Sequence, residues 1–124
     1  MANRLRAAGV EQATGFAVNV SNFQPTGAAL DYGRNISGAL GGKPFVIDTS
    51  RNGQGARQPG DWCNPAGAGL GEAPTTATGD EAVHAFLWVK RPGESDGPCG
   101  QCAEVQAGQF CTTYALELAR NAVF

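Results

Sequence analysis

The sequence predicts an α/β fold in which parallel strands form part of a barrel. Three short apolar runs, residues 15–20, 44–48 and 85–89, have the length of strands but lack the alternation of polar and apolar residues that marks a half-buried strand. Such runs are typical of parallel strands that are buried on both faces. A helical pattern lies between the first two runs, in the order that a parallel sheet requires. Three strands cannot close a barrel, so we expect an incomplete one.

Four segments in all have helical character: residues 3–8, 28–40, 80–84 and 110–122. The second places apolar and small residues on one face and stops at a Gly-Gly pair, a common end of a helix. The third is long enough for only one helical turn. In the last segment every fourth residue is apolar or aromatic, which predicts a C-terminal helix with that face buried. The residues of this face are Phe110, Tyr114, Leu118 and Ala122.

Each predicted strand leads directly into a polar cluster. The clusters are residues 19–22, 48–51 and 90–96. In barrel-like α/β enzymes the active site collects at the C-terminal ends of the strands. The loops that follow the second and third strands are long and rich in Gly and Pro, and irregular loops of this length are usually functional in a compact domain. We therefore expect one domain, residues 1–124, that carries part of a catalytic face.

Charge and composition exclude several classes of partner. The net charge is −2 and the nine Lys and Arg residues are scattered, so we expect neither nucleic acid nor a membrane surface as a partner. No apolar run approaches the roughly 20 residues of a membrane span. The first ten residues contain no apolar core of a signal peptide. We also expect no cofactor.

The four cysteines are Cys63, Cys99, Cys102 and Cys111. An even number indicates two disulfides in an extracellular protein, whereas the Cys-x-x-Cys spacing of the middle pair resembles half of a zinc site. We favour disulfides over a metal, because the loops are rich in glycine and acidic residues, and their pairing stays open. Disulfides indicate export, yet no export signal is visible. This conflict disappears if the protein begins upstream of Met1.

The densest group of candidate catalytic residues follows the third strand. Lys90, Glu94 and Asp96 lie within seven positions, in a loop broken by Pro and Gly. Glycoside hydrolysis requires one carboxylic acid to protonate the leaving oxygen and a second carboxylate to activate water or attack the sugar. The alternative interpretation is a solvated turn with a surface Lys–Glu pair, worth about 0–1 kcal/mol.

Three other positions fit sugar binding, and each has a structural alternative. Trp62 offers a flat apolar face for a pyranose ring while its N–H stays free to donate, or it anchors its loop from the core. The amides of Asn19 and Asn22 can bind sugar hydroxyls with both a donor and an acceptor. Asparagine is equally common in turns and caps, and that interpretation is the safer one.

The remaining polar residues are interpreted as structural. For Asp48, Ser50 and Arg51, at the end of the second strand, an ion pair is a better explanation than catalysis. His84 is the only histidine and precedes the third strand, at the wrong end for the site. A Ser-His-Asp triad is therefore not expected.

Taken in order, six segments resemble glycoside hydrolase family 6, the endoglucanases and cellobiohydrolases. They are GFAVNVSNF (15–23), FVIDTSRNG (45–53), GDWCNPAGAGLG (60–71), PTTATGD (74–80), AFLWVKRPGESDG (85–97) and AGQF (107–110). The resemblance implies a distorted, TIM-like parallel α/β barrel that hydrolyses β-1,4-glucan with inversion. It covers the C-terminal part of that catalytic domain, and the family's general acid has no counterpart here.

The resemblance also implies roles for individual residues. Asp96 matches the catalytic base, and Lys90 and Glu94 match side chains that bind glucose hydroxyls. Trp62 matches a stacking platform and Asn22 an amide that contacts the sugar.

The same resemblance bears on the cysteines and on the whole protein. Cys63 matches one half of a disulfide, with Cys99 as the best candidate partner, whereas Cys102 and Cys111 are extra to the family pattern. His84 stands where an acidic residue is more usual. We expect a fragment of a secreted, monomeric β-1,4-glucanase that acts on cello-oligosaccharides, with little activity of its own. The rival hypotheses are a non-catalytic carbohydrate-binding module and a zinc-stabilised interaction domain.

Overall fold

The computed structural model describes residues 1–124 and contains three strands and three α-helices. The strands are β1 (Phe16–Val18), β2 (Phe45–Asp48) and β3 (Val83–Leu87). The helices are α1 (Ala2–Ala7), α2 (Thr26–Ala39) and α3 (Thr112–Arg120). Two short 3₁₀ helices lie at Val10–Gln12 and Gly100–Cys102. None of the helices has the length and apolar character required to cross a membrane.

The strands form one small parallel sheet in the order β1-β2-β3. Phe16 pairs with Phe45 and Val18 with Ile47, so β1 and β2 end at the same edge. The α/β class with parallel strands is confirmed. Because the three C-terminal strand ends lie side by side, the loops that follow them begin as neighbours.

Helix α2 covers one face of the sheet and forms the first of two hydrophobic cores, the sheet cluster. Its members are Val18, Ala29, Ile36, Phe45, Ile47 and Val83. Gly33 lies in the middle of α2 because the ring of Phe45 occupies the space where a side chain would begin. This close approach fixes α2 against β2, the central strand.

The second core, the α3 cluster, lies beneath the long loops. Its members are Phe23, Ala68, Leu70, Cys102, Cys111, Tyr114 and Leu118. Tyr114 and Leu118 are fully buried, as the spacing of the last helix predicts. Burial raises the pKa of Tyr114 to about 12, so its hydroxyl stays protonated at physiological pH.

Two details of the predicted elements are wrong. The helical turn expected at residues 80–84 does not form, because β3 already begins at Val83. His84 is the extra residue of a bulge in β3, between the partners of Phe45 and Val46, and is exposed. Phe110 lies before the start of α3 and is 66% exposed, so it does not continue the buried face of that helix.

Candidate functional site

The polar clusters behind the three strands meet around one buried carboxylate. Asp48, the last residue of β2, is 1% exposed. Its Oδ2 accepts hydrogen bonds from the backbone N–H of Ser21, 2.9 Å away, and of Lys90, 3.1 Å away. Its Oδ1 accepts from the N–H of Ser50 at 2.9 Å. Asp48 thus joins the loop after β1 to the loop after β3.

Asp96 lies beside this point and is held by two cations. Arg51 Nη1 lies 2.5 Å from its Oδ2, and Lys90 Nζ lies 3.1 Å from its Oδ1. The backbone N–H of Asn64 donates to Oδ2 at 2.9 Å. The Asp96 side chain is 8% exposed and that of Arg51 3%, so water and salt screen this ion pair only weakly.

Opposing influences act on the pKa of Asp96. Burial by itself would raise the pKa, since it penalises the charged form. The hydrogen bond from Arg51, the N–H of Asn64, the charge of Arg51 and the contact with Lys90 together outweigh burial. The pKa of Asp96 therefore lies below the ordinary value of an aspartate, and the group is a carboxylate at neutral pH.

Arg51 is fixed from several sides. Its Nη2 donates to the carbonyl of Ser21 at 2.7 Å, and its guanidinium carbon lies 4.4 Å from the centre of the Phe23 ring. The ion pair expected among residues 48–51 does not form within that segment: Arg51 pairs with Asp96 on a distant loop, and Asp48 pairs with no cation. Arg51 thereby becomes part of the site.

Asn64 ties the loop that carries Trp62 to the loop that carries Asp96. Its amide nitrogen donates to the carbonyls of Gly97, at 2.9 Å, and Cys99, at 3.1 Å, while its Oδ1 accepts from the N–H of Asp96 at 2.9 Å. The disulfide between Cys63 and Cys99, with Cα atoms 5.9 Å apart, joins the same two loops covalently.

A second disulfide joins Cys102 to Cys111 with a Cα separation of 6.2 Å, and no cysteine is free. All four candidate zinc ligands are therefore engaged in disulfides. Cys111 also donates its N–H to the carbonyl of Gly93 at 2.8 Å, and Ser95 donates to the carbonyl of Gln109 at 2.9 Å. The second disulfide thus braces the segment that pairs with the Asp96 loop.

A cleft of about 600 Å³ opens in front of these loops. Asn22, Trp62 and Asp96 all line it, and Trp62 is 62% exposed, so the indole is available to a ligand. The other residues that line the cleft are Val20, Ser21, Phe23, Gln24, Arg51, Arg57, Gln58, Pro59, Gly60 and Asp61. The resemblance gives five residues a role on the sugar, and three of them therefore share one surface.

Lys90 and Glu94 do not line this cleft and lie next to Asp96 instead. Lys90 Nζ is 3.3 Å from Glu94 Oε1, and Arg91 Nε is 2.5 Å from Glu94 Oε2. The hydrogen bond from Arg91, followed by the contact and charge of Lys90, outweighs burial and holds the pKa of Glu94 below its ordinary value. Lys90 is thus shared between two carboxylates.

The Asn19 side chain forms hydrogen bonds with the backbone, as its interpretation as a turn or cap residue predicts. Its amide donates to the carbonyls of Asp48, at 2.9 Å, and Gln24, at 3.3 Å, and accepts from the N–H of Gln24 at 3.1 Å. His84 lies near the N-terminal end of β3, away from the strand ends that carry Asp96.

Sequence reasoning missed Asn64 and underestimated Arg51. Neither contact is local, since Arg51 and Asp96 are 45 positions apart and Asn64 and Asp96 are 32 apart. The available signal was their place in the segments FVIDTSRNG and GDWCN, next to residues already selected.

A family model for glycosyl hydrolases family 6 matches residues 1–122. The chain belongs to glycosyl hydrolase family 6. It is 53% identical over 120 residues to endoglucanase A of Cellulomonas fimi, and 45% identical over 123 residues to endoglucanase 1 of Streptomyces halstedii. Among solved structures, the endoglucanase Cel6 from Mycobacterium tuberculosis matches with a TM-score of 0.88 and 53% identity. That family 6 enzyme was solved in complex with methyl-cellobiosyl-4-deoxy-4-thio-β-D-cellobioside.

The chain spans less than half the length of these family 6 relatives. The match covers 97% of the chain but 26% of the Cellulomonas protein, and 95% of the chain but 37% of the Streptomyces protein. For the Mycobacterium structure the shares are 97% and 41%. All three relatives are named endoglucanases, which are glycoside hydrolases, and none is named a binding module.

Proposed function

We propose that residues 1–124 belong to an inverting β-1,4-glucanase and form the part of its active site that carries the catalytic base. They would lie within the C-terminal portion of a distorted, TIM-like barrel. The observation that carries this proposal is the cleft in which ionised Asp96 and exposed Trp62 share one surface. A neutral glucan needs an apolar platform and hydroxyl-binding groups, whereas its hydrolysis needs carboxyl groups.

Asp96 acts as the catalytic base. In an inverting reaction this carboxylate accepts a proton from the water that attacks the anomeric carbon on the face opposite the leaving group. Arg51 and Lys90 keep Asp96 ionised, but the same ion pairs make it a weak base. Because the carboxylate is also nearly buried, we propose that the proton reaches it through a second water.

The sugar is held by the side chains around this carboxylate. Trp62 stacks on the apolar C–H face of one glucose unit, and Asn22 contacts a hydroxyl with its amide. Lys90 and Glu94 bind hydroxyls close to the bond that is cleaved, since Lys90 lies between Glu94 and Asp96.

The general acid is expected outside these residues. An inverting enzyme needs its two carboxyl groups roughly 6.5–9.5 Å apart, one on each side of the bond. The resemblance assigns the acid to a segment that this chain does not match, so the 124 residues alone should show little turnover. Turnover by the chain alone would instead point to Asp61, the other carboxylate that lines the cleft.

The decisive experiment restores the missing side of the site. This chain would replace the matching 41% of the Mycobacterium endoglucanase, and release of reducing sugar from soluble β-glucan would be measured. We expect turnover in the chimera and a loss of about 100-fold to 10,000-fold in Asp96→Ala, the usual range for a general base. Asp31→Ala, an exposed carboxylate on α2, serves as the matched control. Equal activity of the two variants would contradict the role of Asp96.

Binding is tested separately, with cellotetraose titrated into the 124-residue chain. Trp62→Ala should weaken binding by at least about tenfold, since the stacking face is lost. Phe124→Ala is the control, because Phe124 is 70% exposed and does not line the cleft. Unchanged affinity in Trp62→Ala would remove the stacking role.

The likeness also bears on location and assembly. We propose that the whole protein is secreted and monomeric. Secretion is supported by the two disulfides, which form and persist in oxidising compartments.

A further inference from the structure

Asp48 is a nearly fully buried carboxylate that no cation neutralises. It takes part in none of the ion pairs of the structure. A buried carboxylate is costly unless it is hydrogen-bonded, and three backbone N–H groups supply those bonds here. Asp48 is therefore stabilised by backbone hydrogen bonds and not by an ion pair.

The N–H groups that Asp48 binds have no other partner. Neither Ser21 nor Lys90 donates its N–H to a backbone carbonyl, and neither belongs to a helix or a strand. Both carboxyl oxygens of Asp48 act as acceptors, Oδ2 for two N–H groups and Oδ1 for one. An asparagine would turn its NH₂ group towards one of the N–H donors, because it has a single acceptor oxygen.

Two of the three backbone groups held by Asp48 belong to residues connected to Asp96: Lys90 binds it directly, and Ser21 binds Arg51. Lys90 extends its ammonium to Asp96 Oδ1, at 3.1 Å. Ser21 offers its carbonyl to Arg51 Nη2, at 2.7 Å, and Arg51 Nη1 pairs with Asp96. Asp48 thus binds the backbone of one cationic residue, Lys90, and is connected to the other, Arg51, through Ser21.

We propose that Asp48 is a positioning residue: by binding the N–H groups of Ser21 and Lys90 it sets the two cations against Asp96. The hydrogen bonds of Asp48 to Ser21 and Lys90 are seen directly in the structure. Their importance for hydrolysis rests on the function proposed above. Asp48 itself does not line the cleft, so it acts through its neighbours and not on the sugar.

The first test uses the unaltered backbone. Amide hydrogen exchange of the 124-residue chain, followed by NMR, should show the N–H groups of Ser21 and Lys90 protected by at least about tenfold, as hydrogen bonds to a charged group require. In Lys90→Met the amide at position 90 should keep this protection, since Asp48 binds the backbone and not the side chain. Exchange at the open-chain rate in the original protein, or loss of protection in Lys90→Met, would overturn the proposal.

The second test asks whether Asp48 governs Asp96. In Asp48→Ala the pKa of the Asp96 carboxyl, followed by carbon NMR, should rise, because Lys90 no longer faces it. The double variant Asp48→Ala/Lys90→Met should show a rise smaller than the sum of the two single rises, because both single variants weaken the contact between Lys90 and Asp96, whereas the path through Ser21 and Arg51 is lost only with Asp48. A merely structural role would lower stability and leave the Asp96 titration as in Asp31→Ala, the exposed control. If Asp48→Ala does not fold, the exchange experiment still decides.

None of these measurements uses glucan. An inactive chimera with protected amides would overturn the proposed function and leave the role of Asp48 intact. An active chimera with unprotected amides would do the reverse.

Discussion

At the scale of single residues, the chemistry of the site depends on how Asp96 keeps its charge. The side chain is almost fully buried, a condition that by itself favours the neutral acid. Arg51, Lys90 and the N–H of Asn64 reverse that preference. A carboxylate stabilised in this way stays ionised over the whole neutral range, and Arg51 is the largest of the charges that keep it so.

The first prediction concerns Arg51→Met. Removing one partner of a buried ion pair typically costs 3–5 kcal/mol when the remaining charge is uncompensated, and here Lys90 still faces Asp96. We expect a loss towards the lower end of that range, about 3 kcal/mol, in the free energy of unfolding, measured with urea at pH 7. Arg57→Met is the matched control, because Arg57 donates only to the carbonyls of Gln54, Gly55 and Ala66.

The pH dependence of this loss has a defined sign. The pKa of Asp96 is lower in the folded chain than in the unfolded chain, where the ordinary value of 3.8 applies. The stabilisation is therefore complete above that value and disappears as the pH falls through the lowered pKa of the folded state. The difference between the original protein and Arg51→Met should shrink over that acidic range. A difference that stays constant down to strong acid would contradict the ion-pair explanation.

At the scale of elements, local sequence patterns predicted most of the helices and strands. The boundaries that they missed are set by contacts between distant residues. The apolar runs located all three strands, yet β3 begins two residues earlier than its pattern, since Val83 pairs with Phe45 and His84 enters a bulge. The spacing of apolar residues in α3 correctly predicted that Tyr114 and Leu118 are buried. The same prediction is wrong for Phe110, because that residue pairs with Glu94 in an isolated antiparallel bridge before the helix starts.

The candidate site divides in the same way. Trp62, Asp96 and Asn22 were recognisable because their types and segments fit sugar chemistry, and all three line the cleft. The partners of Asp96 were not recognisable by spacing, since Arg51 and Asn64 reach it across loops of tens of residues. The bonds of Asp48 to Ser21 and Lys90 depend on strand order, which only the folded sheet supplies.

The second prediction concerns the disulfide at the start of α3. Cys102 and Cys111 are nine positions apart, and closing a loop of that length stabilises the fold by about 2.5 kcal/mol in the chain-entropy estimate. The double variant Cys102→Ala/Cys111→Ala should lose about that amount in urea unfolding. Its cellotetraose affinity should fall less than that of Trp62→Ala, because neither cysteine lines the cleft. A variant as stable as the original would show that the hydrogen bonds between residues 93–95 and 109–111 suffice.

At the scale of the whole molecule, the candidate site lies between two separate cores. The sheet cluster contains α2 and the strands, whereas the α3 cluster contains the helix and the loops. Asp48 belongs to a strand of the first, and Arg51 stacks on Phe23 of the second. The polar network around Asp96 is therefore one connection between the two cores, so the cohesion of the molecule depends on the same side chains as the proposed function.

The third prediction follows from where the disulfides lie. Both join segments around the α3 cluster, closing loops of 36 and nine positions, and neither touches the sheet cluster. Because a disulfide acts chiefly by restricting the unfolded chain between its ends, reduction should loosen the α3 cluster first. We expect amide exchange around Tyr114 and Leu118 to speed up under reducing conditions while the amide of Ile36 in α2 stays protected, as local unfolding of one unit requires. Reoxidation should restore the slow exchange. Equal loss of protection in both clusters would instead show that the network around Asp96 makes the molecule one cooperative unit.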